Sequence, residues 1–172
     1  MATSEQNLSS YSLSELPDGS DFKVGVVASE WNAEICKSLL DGAVSVLKEK
    51  GVSEDKLHII RVPGSFELPF AASMLLKAHS LDGVLCLGCV IKGETRHDEY
   101  INQSIANGIT QLSILSGKPV VYGVITAENK EQALDRSGGK HGNKGVEGAV
   151  TLLKMIDLKK DLSQAKGKNI GF

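Results

Sequence analysis

Apolar and polar positions alternate in blocks along this chain. Residues 22–28 (FKVGVVA) form a short apolar run rich in β-branched side chains. Ile35, Leu39, Ala43 and Val46/Leu47 then recur at helical spacing, with Gly51 as a stop. Residues 57–62 (LHIIRV) read as a second strand, ended by Pro63-Gly64, and a helix follows through about Ala78. Residues 83–90 (GVLCLGCV) read as a third strand, apolar on both faces. Ile101, Ile105, Ile109, Leu112 and Leu115 mark a helix closed by Gly117 and Pro119. Residues 119–125 (PVVYGVI) predict a fourth strand. Residues 128–136 and 144–158 predict two more helices, the latter through Val146, Ala149, Val150, Leu153 and Ile156.

Strands this apolar, alternating with helices, imply a parallel sheet covered on both faces. The predicted fold is a three-layer α/β/α sandwich with a four-stranded parallel sheet, flavodoxin-like in its alternation. The ends read differently. Residues 1–21 are Ser-rich, carry Glu5, Glu15, Asp18 and Asp21, and have no Lys or Arg. They match neither a signal peptide nor an Arg-rich presequence. Residues 159–172 carry Lys159, Lys160, Lys166 and Lys168. The expected organisation is a flexible tail over 1–21, one domain over 22–158 and a second tail over 159–172. Sheets of this type bind ligands beyond the carboxyl ends of their strands. That directs attention to residues 29–32, 63–67, 89–97 and 122–129.

Composition narrows the function classes. The chain has 172 residues and a formal net charge of −2, with a pI of about 6.1. Binders of nucleic acid or acidic membranes usually show a basic surplus, so neither is expected as a partner. Three cysteines are too few, and odd, for a disulfide framework, which points to a reducing, cytoplasmic setting. Mean hydropathy is −0.06, and no apolar run approaches the ~20 residues of a membrane span. Cys86 and Cys89 form a C-x-x-C with no second ligand pair. Three apart in a strand, they point to opposite faces and read as apolar filler. No carboxylate–His spacing suggests a metal, and neither metal nor organic cofactor is expected. The first strand is not followed by a flavodoxin phosphate loop, by paired receiver-domain acids or by G-x-G-x-x-G.

The richest segment is Cys89-Val90-Ile91-Lys92-Gly93-Glu94-Thr95-Arg96-His97. Here a strand meets a helix through a glycine. Unpartnered N–H groups, the Thr95 hydroxyl, Lys92 and Arg96 would together cradle one phosphate. An ordinary Thr95 cap with a solvated charge cluster explains the segment equally well. His97 follows that turn and is the candidate proton carrier, since imidazole titrates near neutrality. His58, His79 and His141 sit in a strand, at a helix end and in a glycine loop. At Ser65-Phe66-Glu67, either Ser65 caps a helix and Glu67 complements its dipole, or Glu67 accepts hydrogen bonds from a polyol. Trp31, the one tryptophan, is either a staple or a shelf for a flat ring. Residues 136–145 carry glycines and basic groups suited to an anion, without the spacing of a nucleotide phosphate loop.

Taken in order, Trp31-Asn32, VPGSFELP at 62–69, LGCVIKGETRH at 87–97, YGVIT at 122–126, EQALDRSGG at 131–139 and GNKG at 142–145 resemble the 6,7-dimethyl-8-ribityllumazine synthase family. The resemblance spans about residues 22–158. It implies condensation of 5-amino-6-(D-ribitylamino)uracil with 3,4-dihydroxy-2-butanone 4-phosphate, a step of riboflavin biosynthesis, without cofactor. It implies that Trp31 stacks on the pyrimidine, that Ser65, Phe66 and Glu67 hold the ribityl chain, and that Cys89, Val90 and Ile91 line the ring. Glu94 and Thr95 match the phosphate-binding segment, and His97 matches the proton donor. Tyr122, Arg136 and Lys144 match residues that arrive from a neighbouring subunit, Arg136 to the phosphate. A homo-oligomer is implied, either a pentamer or a sixty-subunit icosahedral capsid, and the short 138–145 loop is compatible with the capsid. Tyr122 and Trp31 stand where many members have Phe, and Lys92 where many have Arg. Tyr122 thereby adds a hydroxyl that needs a partner if buried, and the Glu94 carboxylate must turn away from a phosphate. Two other classes fit the same segments. One is a different enzyme using Lys92 as a Schiff-base nucleophile; the other is a non-catalytic flavin-binding or shell protein.

Overall fold

A computed structural model describes residues 12–168 of the chain. Four parallel strands form the sheet: β1 (Val24–Ser29), β2 (Leu57–Val62), β3 (Gly83–Ile91) and β4 (Val120–Ala127), in the order β2-β1-β3-β4. Helices α1 (Ala33–Glu49), α2 (Leu68–Ala78), α3 (His97–Ser116), α4 (Lys130–Asp135) and α5 (Lys144–Lys168) connect and follow them. The three-layer α/β/α sandwich read from the alternation is the one observed.

Each face of the sheet has its own core. Val24, Val26, Leu85, Leu87 and Cys89 pack with Leu39, Leu47, Val150 and Leu153 of α1 and α5. Val27, Val84, Cys86 and Val90 pack with Leu68, Ala72, Ile105 and Ile109 of α2 and α3. The period-two alternation along β3 sends Cys86 and Cys89 to opposite cores, as their spacing predicts. β3 is buried from Gly83 to Val90 because helices cover both of its faces. Helices α1 and α5 approach closely at Gly145, where a Cβ would collide with the carbonyl oxygen of Leu39. The entry to the sheet is locked by a reciprocal pair: the Lys23 N–H donates to Asp82 Oδ2 at 2.8 Å, and the Asp82 N–H donates to Lys23 O at 2.7 Å.

The ends depart from the sequence reading. Residues 12–21 do not simply stand off as a tail: Leu16 is buried in the core, and the Gly19 N–H donates to Lys50 O at 2.7 Å. Helix α5 continues past 158 to Lys168. Residues 1–11 and 169–172, the remainder of the expected tails, lie outside the described residues. The glycine-rich stretch read as a loop contains a small antiparallel hairpin, β5 (Ser137–Gly139) and β6 (Gly142–Asn143).

Candidate active site

The chain order places a topological switch at β1. The strands following and preceding it in the sheet leave a crevice outside the carboxyl ends of β1 and β3. Three loops close on that crevice and are tied to one another by backbone hydrogen bonds. The Glu30 N–H donates to Val62 O at 2.8 Å, and the Trp31 N–H to Pro63 O at 3.1 Å and to Ser29 Oγ at 3.1 Å. The Asn32 side-chain amide donates to Cys89 O at 3.1 Å. The Cys36 thiol donates to Trp31 O at 3.1 Å. Asn32 sits at φ 57°, ψ 51°, the left-handed region that asparagine tolerates better than most residues. The backbone beneath Trp31 is thus fixed on several sides while its indole stays 71% exposed. A staple would bury the ring; this indole is presented outward.

The second loop also departs from the ordinary cap. Residues Ser65–Glu67 form a single 3-10 turn ahead of α2. Glu67 Oε2 accepts the Gly64 N–H at 3.0 Å. Ser65 caps nothing: its Oγ is buried and unpartnered, and the residue is 6% exposed. A buried hydroxyl without a partner is costly. In the third loop, the residue flanking α3 is Arg96, and no side chain caps the helix there. Thr95 is therefore not the helix cap either.

Trp31, Gly64, Ser65, Phe66 and Glu67 line a cavity of about 410 Å³ together with Cys89, Val90 and Ile91 from the end of β3. Gly93, Thr95, His97, Asp98 and Ile101 complete its wall. Trp31 and His97 thus share one cavity, whose wall also holds the carboxylates of Glu67 and Asp98 and the start of α3. Gly64 and Gly93 fall in the segments marked from sequence, whereas Asp98 and Ile101 fall outside them. Asp98 and Ile101 carried a usable signal, being next to His97 and one helical turn beyond it.

The family model for 6,7-dimethyl-8-ribityllumazine synthase matches residues 21–160 of the chain. A protein of that name from Porphyromonas gingivalis is 46% identical over 160 residues, covering 93% of this chain and 99% of the relative. One from Cytophaga hutchinsonii is 49% identical over 156 residues, covering 91% and 98%. This chain belongs to the lumazine synthase family. The family is one of transferases, so the chain is an enzyme of that class.

The remaining residues that the family resemblance singles out lie elsewhere on the protomer. Tyr122 and Lys144 line a second cavity of about 340 Å³ beside the β4 edge, with Glu147, Gly148 and Thr151 of α5. Tyr122 is the third residue of β4, near its amino end, so it does not belong with the carboxyl-end loops where the sequence reading searched. Burial raises the pKa of its phenol, and Thr126 is its hydrogen-bonding neighbour. Lys144 Nζ pairs with Glu147 Oε2 at 2.9 Å, and Glu147 is 5% exposed. Arg136 follows α4 at the neck of the hairpin and lines neither cavity; among the described residues it has no ion-pair partner. Glu94 is exposed and lies outside the cavity lining, between Gly93 and Thr95, which are part of it.

The two cations expected to flank the phosphate cradle are turned elsewhere. Arg96 Nε and Nη2 both donate to Glu99 Oε2, at 3.0 and 2.7 Å. Lys92 Nζ pairs with Glu128 Oε2 at 2.9 Å, and that carboxylate raises the Lys92 pKa. A Schiff-base nucleophile needs a neutral amine facing the cavity. Lys92 is neither. Burial pushes the Cys36 thiol up to about 11 and the Cys86 and Cys89 thiols up to about 12, which suits packing rather than nucleophilic chemistry. Among the described residues there is no cluster of three His, Cys, Asp or Glu able to hold a metal, and no helix is long and apolar enough to cross a membrane.

Proposed function

We propose that this protein condenses 5-amino-6-(D-ribitylamino)uracil with 3,4-dihydroxy-2-butanone 4-phosphate to give 6,7-dimethyl-8-ribityllumazine, phosphate and water. The observation that carries this reading is the convergence of Trp31, Glu67 and His97, from three separate loops, on one cavity of about 410 Å³. The indole stacks on the flat pyrimidine. One Glu67 oxygen is fixed by the Gly64 N–H, leaving the other to accept a ribityl hydroxyl. Ser65 and Phe66 line the same wall and shape the space for the ribityl chain. Cys89, Val90 and Ile91 line the ring, and the segment of Glu94 and Thr95 holds the phosphate.

In the reaction the substrate's 5-amino group attacks the ketone, and loss of water forms an imine. Phosphate leaves by elimination, and the ribityl-bearing nitrogen closes the second ring onto the new carbonyl with loss of a second water. No electrons are exchanged with a third party. His97, at the cavity wall, moves protons between nitrogen and oxygen along this path. Holding the two substrates together supplies most of the remaining acceleration.

A phosphate dianion also needs positive charge. Among the described residues no Lys or Arg side chain lines the cavity, whereas Glu67 and Asp98 do. The reading therefore assigns Arg136, together with Lys144 and Tyr122, to the cavity of a neighbouring copy. Exposed Trp31 and Phe66 at the cavity, and exposed Phe70 and Met74 on α2, give such a copy apolar surface to cover. The assembly is a head-to-tail ring, a pentamer or a sixty-subunit shell of a cytoplasmic enzyme. Mixing the purified protein with both substrates tests the proposal: lumazine absorbance must rise in step with phosphate release. Binding of lumazine-like rings without turnover would overturn it in favour of a non-catalytic binder. Sedimentation of the same sample separates the pentamer from the shell.

A further inference from the structure

Helix α1 carries a glycine in its interior, Gly42. An interior helical glycine is less favourable than alanine. A Cβ at Gly42 would lie 2.8–3.0 Å from the side-chain amide of Asn143, so the glycine makes the seat for that amide. Asn143 uses both ends of its side chain there. Its Nδ2 donates to Ser38 O of α1 at 3.0 Å and to Ser137 O of β5 at 3.3 Å. Its Oδ1 accepts the N–H groups of Gly145 and Val146, at 2.8 and 3.3 Å, at the start of α5. The Ser38 hydroxyl also donates to Ser137 O.

One side chain thus joins three elements at the hairpin neck. That neck is where Arg136 and Lys144 emerge side by side: the Lys144 N–H donates to Arg136 O at 2.9 Å, and Ser137 pairs with Asn143. Around this joint Arg136 has, among the described residues, no carboxylate partner to hold its direction, and Lys144 is held by Glu147. The hairpin is short, and its own pairing is limited to Ser137 with Asn143 and Gly139 with Gly142. We infer that Asn143 is a positioning residue for the reaction, fixing the base of Arg136 so that its guanidinium reaches the phosphate of a neighbouring copy's substrate. This rests on the assignment of Arg136 proposed above. Asn143 touches no substrate and acts through the hairpin.

Three variants test it in steady-state kinetics with each substrate varied in turn. Asn143→Asp keeps the oxygen that caps α5 and removes the donors to α1 and β5. Asn143→Ala removes both. Gly42→Ala favours the helix but fills the seat of the amide. Each raises KM for the phosphorylated substrate about tenfold, with the pyrimidine KM within about twofold of the parent. In an Arg136→Ala background, Asn143→Asp adds no further rise. If Asn143→Ala fails to fold, the Asp and Gly42 variants carry the test. Equal loss toward both substrates, or a further rise in the Arg136→Ala background, would overturn the inference and leave Asn143 a stabilising residue. An effective Arg136→Ala with silent Asn143→Asp and Gly42→Ala would overturn the inference alone. A silent Arg136→Ala would overturn the assignment beneath it as well.

Discussion

The cavity outside β1 and β3 and the β4 edge with its adjoining hairpin differ in kind. The first is built from three loops cross-bonded through Glu30, Trp31 and Asn32, and it presents aromatics, two carboxylates and an imidazole. The second is built from a strand edge, the start of α5 and a hairpin, and it presents Tyr122, Lys144 and Arg136. The first has aromatic walls and carboxylates but, among the described residues, no cation in its lining for a phosphate. The second has cations, beside a somewhat smaller cavity of about 340 Å³. The second holds the charge that the first lacks, and the complementarity supports a site shared between copies rather than two separate sites.

The sharpest break in that comparison is His97→Ala, which removes the proton carrier proposed for the first region. We expect kcat to fall by about 10²–10⁴-fold, with both substrates still binding. Turnover persists because juxtaposition of the two substrates survives. Complete loss of activity with binding intact would mean that His97 does more than move protons.

Arg136→Ala breaks the second region. KM for the phosphorylated substrate should rise by about 10²-fold, since truncating one partner of a hydrogen-bonded charge pair costs about 2–5 kcal/mol. The pyrimidine Kd should hold. The two variants together sharpen the comparison further. Co-expressed in equal amounts, they assemble into mixed rings in which roughly a quarter of the sites combine an intact His97 with an intact Arg136 from different copies. Recovery of activity near that fraction is expected. No recovery, in rings shown to be mixed, would place both residues in a site within one copy.

Trp31→Ala affects one substrate only. Loss of ring stacking is worth about 1–3 kcal/mol, so the pyrimidine Kd should rise about 5–150-fold while the KM for the phosphorylated substrate changes little. Because Trp31 is the one tryptophan, quenching of protein fluorescence on pyrimidine binding reports the contact directly in the parent.

The strands and helices were legible because their apolar residues repeat at period two or about 3.6 over enough positions to outweigh local ambiguity. The loops of the cavity were legible from topology, since a parallel sheet places ligands at its carboxyl ends. Part of what escaped the reading depends on contacts distant in sequence. Asn143 and Gly42 explain each other only once α1 and the hairpin touch. Arg96 and Lys92 read as cradle charges, but each found a nearer carboxylate, at Glu99 and Glu128. Ser65 read equally as a cap or a contact, and its unpartnered hydroxyl removes the cap. Tyr122 was grouped with the carboxyl-end loops, although it stands near the amino end of β4.

Buried thiols give a prediction on stability that touches both cores. Folding raises Cys86 and Cys89 to about 12 and Cys36 to about 11, from an ordinary value of 9.0. Above pH 9 the unfolded chain releases thiol protons that the folded chain retains. Stability should therefore be undiminished by the thiols below pH 9 and fall as pH rises from 9 toward 12. Urea midpoints between pH 8 and 11 measure the slope, and Cys86→Ala should make it shallower. An unchanged slope would show that the Cys86 thiol does not contribute.

The smallest expected effect separates two chemistries. Lys92 lies outside the cavity, paired with Glu128 across the ends of β3 and β4, and its side chain is largely exposed. Exposed pairs contribute little, so Lys92→Met should leave kcat and both KM values within about twofold of the parent. A Schiff-base mechanism requires the opposite, because the amine would be the covalent anchor and its removal would end turnover. Borohydride added during turnover would then also trap substrate carbons on Lys92. A near-silent Lys92→Met leaves the substrate's own 5-amino group as the nucleophile. On the proposed reading, the enzyme's task is then to bring together, across two copies, the stacking ring Trp31, the proton carrier His97 and the cation Arg136, which does not line the cavity of its own copy.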